Sequence, residues 1–243
     1  MTNTQGIRHL KRHGFFTTLL KSFLKFFIRK PRIIGTTDLP KPAIIIANHK
    51  GAAGPMVLSL YFPCLFVPWG HYQMTEGYRR RFDYLYRVFY RQKLKKGKFV
   101  AFWLALLFGL VSKLIYNGMR VIPSYPDIRV RKTLKISEAH LDQGNSVLVF
   151  PEDSRRGYED LPATYFGGFA ALAIDYWRRH GRDVPIIPVY FSKQERLIII
   201  GESCQISELL KRGLDREQIT LHFAKIAREL PKRQNQDINK QLY

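Results

Sequence analysis

The chain predicts an α/β fold, with a mixed, largely parallel sheet flanked by helices and an N-terminal amphipathic helical membrane-binding segment. Three observations carry that expectation. Short runs of branched apolar residues recur along the chain, and turn-rich stretches bound them. Helix-period segments fall between those runs, as parallel strand connections require. The first part of the chain sets bulky aromatics against lysine and arginine, which is the pattern of a helix lying among lipid headgroups.

Residues 7–32 form that first part. Phe15, Phe16, Leu19, Leu20, Phe23, Leu24, Phe26, Phe27 and Ile28 alternate with Lys11, Arg12, Lys21, Lys25, Arg29 and Lys30. The plainer alternative is a solvated helix that packs its Phe face on the domain. Pro31 closes the segment, so residues 1–32 are expected to be a basic helical anchor and residues 33–243 the α/β domain. The turn-rich Thr36 to Pro42 leads into a strand at Ala43-Ile44-Ile45-Ile46-Ala47. Further strands are expected at Arg120–Ile122, Ser146–Phe150, Ile186–Phe191, Leu197–Ile200 and Ile219–Phe223, with helices over Val130–Gln143 and Phe166–His180.

Tyr78 to Lys98 departs from simple alternation, with nine basic residues, one acid (Asp83) and six interleaved aromatics. That mixture suits a membrane interface or a stacking platform for single-stranded nucleic acid. It also fits a solvated helical face with its rings buried. It continues directly into Phe99–Val111, an apolar run of 13 residues that nucleic acid has no use for. A spanning helix needs roughly 20 apolar residues, so the run reads as a core helix or one that dips into an interface, and no transmembrane span is expected.

Composition sets outer limits. At 243 residues with 46% hydrophobic content, the chain is long and apolar enough for a full core and is no disordered segment. Forty Lys and Arg against 19 Asp and Glu give a net charge of +21, which attracts anionic lipid, acidic carrier proteins or nucleic acid without choosing among them. Cys64 and Cys204 lie far apart, fit no metal spacing and suggest reduced thiols. No metal cluster and no nucleotide-binding glycine loop are visible.

Two strand ends carry candidate chemistry. Asn48-His49 follows the run Ala43–Ala47 and precedes the small-residue turn Lys50-Gly51-Ala52-Ala53-Gly54, which presents an imidazole at a strand tip. Phe150-Pro151-Glu152-Asp153-Ser154-Arg155-Arg156 follows the strand at Ser146, and its arginines suit a phosphate. Gly118-Met119-Arg120-Val121-Ile122-Pro123 enters another strand from a glycine, and Val184–Val189 is a proline-lined wall.

These blocks, in this order, resemble the glycerolipid acyltransferases, the lysophosphatidic acid acyltransferases and their relatives, over roughly residues 33 to 191. Asn48-His49 matches the opening of the family's first block, Gly118–Pro123 resembles the second, Phe150–Arg155 the third and Val184–Val189 the fourth. The departures are pointed: Gly54 stands where the family has the Asp that partners the His, Gly51 where it has a Ser, and Ser124 where an Arg grips the acceptor phosphate. The third block has Asp153 for Gly and Ser154 for Thr.

The resemblance implies transfer of a fatty acyl group from acyl-CoA or acyl-ACP to a lysophospholipid or related glycerolipid hydroxyl. His49 would be the general base, with Asp153 as substitute partner and Glu152 a second candidate. Asn48, Gly118, Arg120, Glu152, Ser154, Arg155 and Arg156 would bind substrate. Losing the orienting carboxylate of a hydrolase triad costs about 10⁴ in rate, so the rival expectation is a degenerate member that binds membrane lipid or acyl carrier without catalysis. No bound cofactor, no metal and no nucleic-acid partner are expected. The expected partners are an anionic membrane surface, a lysophospholipid-type acceptor and acyl carrier protein. The expected location is the cytoplasmic side of a membrane, held peripherally.

Overall fold

The computed structural model describes residues 7–51, 53–153 and 164–241, with side chains described as far as residue 232. It is an α/β protein whose seven strands, β1 (Arg32–Ile34), β2 (Ile44–Ala47), β3 (Phe66–His71), β4 (Ile122–Ser124), β5 (Ser146–Val149), β6 (Ile186–Ser192) and β7 (Leu197–Ile200), run in the order β1-β7-β6-β2-β5-β3-β4. β1 pairs β7, β2 pairs β6 and β3 pairs β4 in parallel, while β6 and β7 are antiparallel. The sheet is therefore mixed and mostly parallel. Strands β2, β5, β6 and β7 are buried at every position, as continuous branched apolar runs covered on both faces should be.

The chain divides into two compact units. The first takes the chain up to Arg29 together with Leu65–Val147. It holds α1 (Phe15–Phe27), β3, a single 3₁₀ turn (Tyr72–Thr75) and α3 (Tyr78–Asp83), which runs on as a π-helix over Tyr84–Lys93. It also holds α4 (Lys98–Gly118), β4 and α5 (Val130–Asp142). Its apolar centre gathers Met74, Tyr84, Leu85, Tyr90, Ala101 and Ala105. Arg81 is buried there, its Nε and Nη2 donating to the Gly109 carbonyl and its Nη1 to that of Glu76.

The second unit takes Lys30–Cys64, Leu148–Asp153 and the C-terminal part of the chain. It holds β1, β2, α2 (Ala53–Tyr61), α6 (Gly168–His180), β6, β7, α7 (Ile206–Lys211) and α8 (Arg216–Gln241). Phe169 and Phe223 meet edge to face at 5.6 Å within its core. Gly181, in the left-handed conformation (φ +61°), ends α6 by donating to Trp177, the usual role of a helix-terminating glycine.

The fold corrects several expected elements. Ile219–Phe223 is not a strand but part of α8. Among its described side chains Ile219, Thr220, Phe223, Ala224 and Ala227 are buried, and they line one helical face, so the branched run is a helix's core stripe. β4 begins at Ile122 because Met119 and Arg120 finish α4, Arg120 at φ +54°. β3 was not anticipated, since Pro68 and Gly70 interrupt its pattern. α4 is 21 residues long, so it extends well beyond the 13-residue apolar run that starts it. Among the described residues it is the one helix long and apolar enough to cross a membrane by length and composition alone. Finally, α1 does not pack its Phe face on the domain: Phe15, Leu19, Phe23, Phe26 and Phe27 are exposed.

Candidate active site

β2 is buried throughout and ends by delivering Asn48 and His49 to its carboxyl tip. Asn48, itself buried, is spent on the backbone. Its Nδ2 donates to the Phe191 carbonyl at 2.9 Å, and the Phe191 N–H donates to its Oδ1 at 2.7 Å. These side-chain bonds reach past the last β2–β6 pair, Ala47↔Val189, to a residue two further along β6, so Asn48 ties down the end of the strand and how His49 leaves it. That is a positioning job done through the backbone.

The chain then reverses through two left-handed residues, Lys50 at φ +43° and Gly51 at φ +66°, and enters α2 at Ala53. The turn presses Gly54 onto the residue it follows. A Cβ at Gly54 would lie 2.3 Å from the His49 carbonyl oxygen and 3.0 Å from that of Asn48. No side chain fits there with this backbone. The position where the acyltransferase pattern carries its Asp is closed by the His49 main chain.

β5 supplies the opposing wall. The His49 ring meets the Phe150 ring edge-on at 4.8 Å and 62°, which brings the ends of β2 and β5 into contact. Beyond Phe150 the chain doubles against its own return: Phe166 N–H donates to the Pro151 carbonyl at 2.7 Å, Glu152 bridges Tyr165, and Asp153 N–H donates to the Thr164 carbonyl at 3.2 Å. Glu152 is buried and Asp153 half-buried. Ser154, Arg155 and Arg156 lie outside the described residues.

Two residues that the sequence did not single out belong to this cluster. Burial pushes the Lys50 ammonium below its ordinary pKa, while Glu152 pulls it back up. Burial raises the Tyr165 phenol strongly, the Glu152 carboxylate adds to that, and Arg228 opposes it. Glu152 thus acts electrostatically on both a cation of the His49 turn and the phenol of its bridge partner Tyr165. Lys50 could have been noticed as the cation next to the imidazole. Tyr165 had no signal, because only the doubling of the loop brings it to Glu152.

Gly118 and Arg120 lie in the first unit. Gly118 closes α4 against α1: a Cβ there would fall 1.9 Å from Thr17 Oγ1, and its carbonyl accepts from Gly14 N–H at 2.9 Å. Arg120 Nη1 donates to the Arg8 carbonyl at 2.8 Å. Both contacts fasten the N-terminal segment. The chain matches no known protein-family model, and no curated protein matches it either.

Proposed function

We propose that this chain is an acyltransferase, with His49 as general base for transfer of a fatty acyl group from an acyl thioester, on CoA or acyl carrier protein, to a lysophospholipid or related glycerolipid hydroxyl. The imidazole takes the hydroxyl proton as the oxygen attacks the thioester carbonyl. The C–S bond breaks as the carbonyl re-forms, and the sulfur leaves as thiol with the proton returned to it. The observation that carries this reading is the contact of His49 with Phe150, which joins a strand-tip imidazole to a loop bearing Glu152 and Asp153. Asp153 or Glu152 then holds the imidazole in place of the carboxylate missing at Gly54. Acyl-CoA or acyl-ACP is a substrate here, and no bound cofactor is invoked. The basic α1, with its Phe face outward, holds the protein peripherally on an anionic membrane surface on the cytoplasmic side, where the acceptor resides.

The test is thioester consumption in the presence of a lysolipid. His49→Ala is expected to abolish it, and Asp153→Asn or Glu152→Gln, whichever carboxylate serves as partner, to lower it by about 10⁴. Full activity in both carboxylate variants would rule out the relocated partner. The closed position at Gly54 favours a second reading, a protein of this fold that binds lipid or acyl carrier without turnover. In that case the unmodified protein consumes no thioester, and vesicle association survives His49→Ala.

A further inference from the structure

Helices of a water-soluble domain turn their large apolar side chains inward. α4 does the reverse. Its buried residues are Ala101, Ala105, Gly109 and Ser112, at helical spacing, and they abut Tyr78, Tyr84 and Leu85. Phe99, Trp103, Leu107, Leu110 and Leu114 repeat that spacing on the opposite face and are between 47% and 77% exposed. Small residues at the packed seam with bulky ones turned outward is how helices pack when their surroundings are hydrocarbon, because close approach then replaces the hydrophobic drive.

We propose that the outward face of α4 is seated in the interface of an anionic lipid bilayer, with the helix lying in the membrane plane. The charges around it specify the occupant. α4 carries no Asp or Glu, Lys95, Lys96 and Lys98 stand exposed at its entry, and Arg91 and Lys93 precede them in the π-helix. This basic collar faces lipid phosphates favourably, and Trp103 is suited to headgroup depth. α1, which packs on α4, turns Phe15, Leu19, Phe23 and Phe26 outward at the same helical spacing. A second copy of the chain is a poor occupant, because each carries a net charge of +21.

The in-plane orientation follows from the packed side. At 21 residues the helix is about 31 Å long, near the hydrocarbon thickness of a bilayer. Arg81, however, is bonded to the carbonyl of Gly109 in the helix itself, and Lys113 stands exposed on its flank. Spanning would carry both into hydrocarbon, at a cost that paired or cavity-facing charges alone escape. Lying flat leaves the Arg81 side in the protein and lets Lys113 reach the headgroups.

The inference holds whether or not His49 is catalytic, and its readout is separate from thioester turnover. It is tested by sedimentation of the full chain with phosphatidylcholine vesicles, with and without phosphatidylglycerol. Binding that needs phosphatidylglycerol and weakens with salt is expected. The double substitution Leu107→Glu and Leu110→Glu, at exposed positions, should lower it roughly tenfold or more with an unchanged circular dichroism spectrum. Brominated acyl chains should quench a tryptophan component that Trp103→Phe removes. The idea fails if the chain ignores vesicles, if the double variant is folded and binds like the parent, or if no such quenched component exists. It also fails if the double variant only converts a dimer to a monomer and vesicle binding is unchanged.

Discussion

Gly54 decides how the candidate site must be understood. Seen as a motif position it is a vacancy, and replacing it with Asp looks like a repair. Seen as packing it is a contact, since its missing Cβ is what allows α2 to approach the His49 carbonyl to 2.3 Å of where that atom would be. Gly54→Asp is therefore expected to destabilise the chain by about 2 kcal/mol or more, as overpacking against fixed atoms does. That loss corresponds to a fall of roughly 4–8 °C in Tm for a chain of this size. Gly54→Ala separates sterics from charge: it should lose about as much stability, because the Cβ alone makes the clash. Calorimetry of the two variants, with the thioester assay beside it, checks this. A Gly54→Asp protein of parental Tm and raised activity would show that the position is open after all. Other residue roles hide in partners remote in sequence. The Asn48 amide serves the Phe191 backbone, and nothing in the neighbourhood of position 48 announces that partner.

Elements were legible in proportion to how completely burial wrote them. β2, β5, β6 and β7 are apolar at nearly every position because both faces are covered, so their runs stand out. β3 carries Pro68 and Gly70 and stayed hidden. The run at Ile219 contains Ile, Thr and Phe in either register, and burial every three or four residues tells the helix apart only once α8 is laid on the core. α4 outruns its apolar run because Ser112 and Lys113 interrupt the pattern, although Ser112 is buried on the packed seam and its hydroxyl donates to the Gly109 carbonyl at 3.2 Å. The contact between α1 and α4 rests on similarly small features. Gly118→Ala places a Cβ 1.9 Å from Thr17 Oγ1 and 2.9 Å from Thr17 Cβ, and Thr17 is buried with a β-branched side chain that cannot swing clear. The expected outcome is release of α1, read as faster hydrogen exchange and earlier proteolysis in residues 15–27, with a Tm drop of no more than about 4 °C.

For the molecule as a whole, a net charge of +21 leaves little tolerance for added protons, and two buried imidazoles and one half-buried one are placed where protons are least welcome. His13, His71 and His140 are each held down to a pKa of about 4, chiefly by burial. Lys21 and Arg120 press further on His13, and Gly118 partly offsets them by its backbone hydrogen bond. Lys93 presses on His71 against a pull from Glu76, and Arg120 presses on His140. His140 Nδ1 lies 3.2 Å from Asn145 Nδ2, while Asn145 Oδ1 already accepts from Leu10 N–H. The imidazole is therefore the acceptor, and protonating it would set two donors face to face and loosen the clamp that Asn145 keeps on Leu10 and on the Arg8 carbonyl. Because these folded-state pKa values lie below the ordinary 6.5, the unfolded chain takes up protons first as the pH falls. The stability that the neutral imidazoles contribute is complete above about pH 6.5, drains away between about 6.5 and about 4, and changes little below that through these groups. Urea midpoints measured across that window should fall steeply. His140→Gln should flatten the slope by up to about 1.4 kcal/mol per pH unit, the value of one linked proton. Equal slopes in parent and variant would mean that His140 ionises in the folded protein as it does in the unfolded chain.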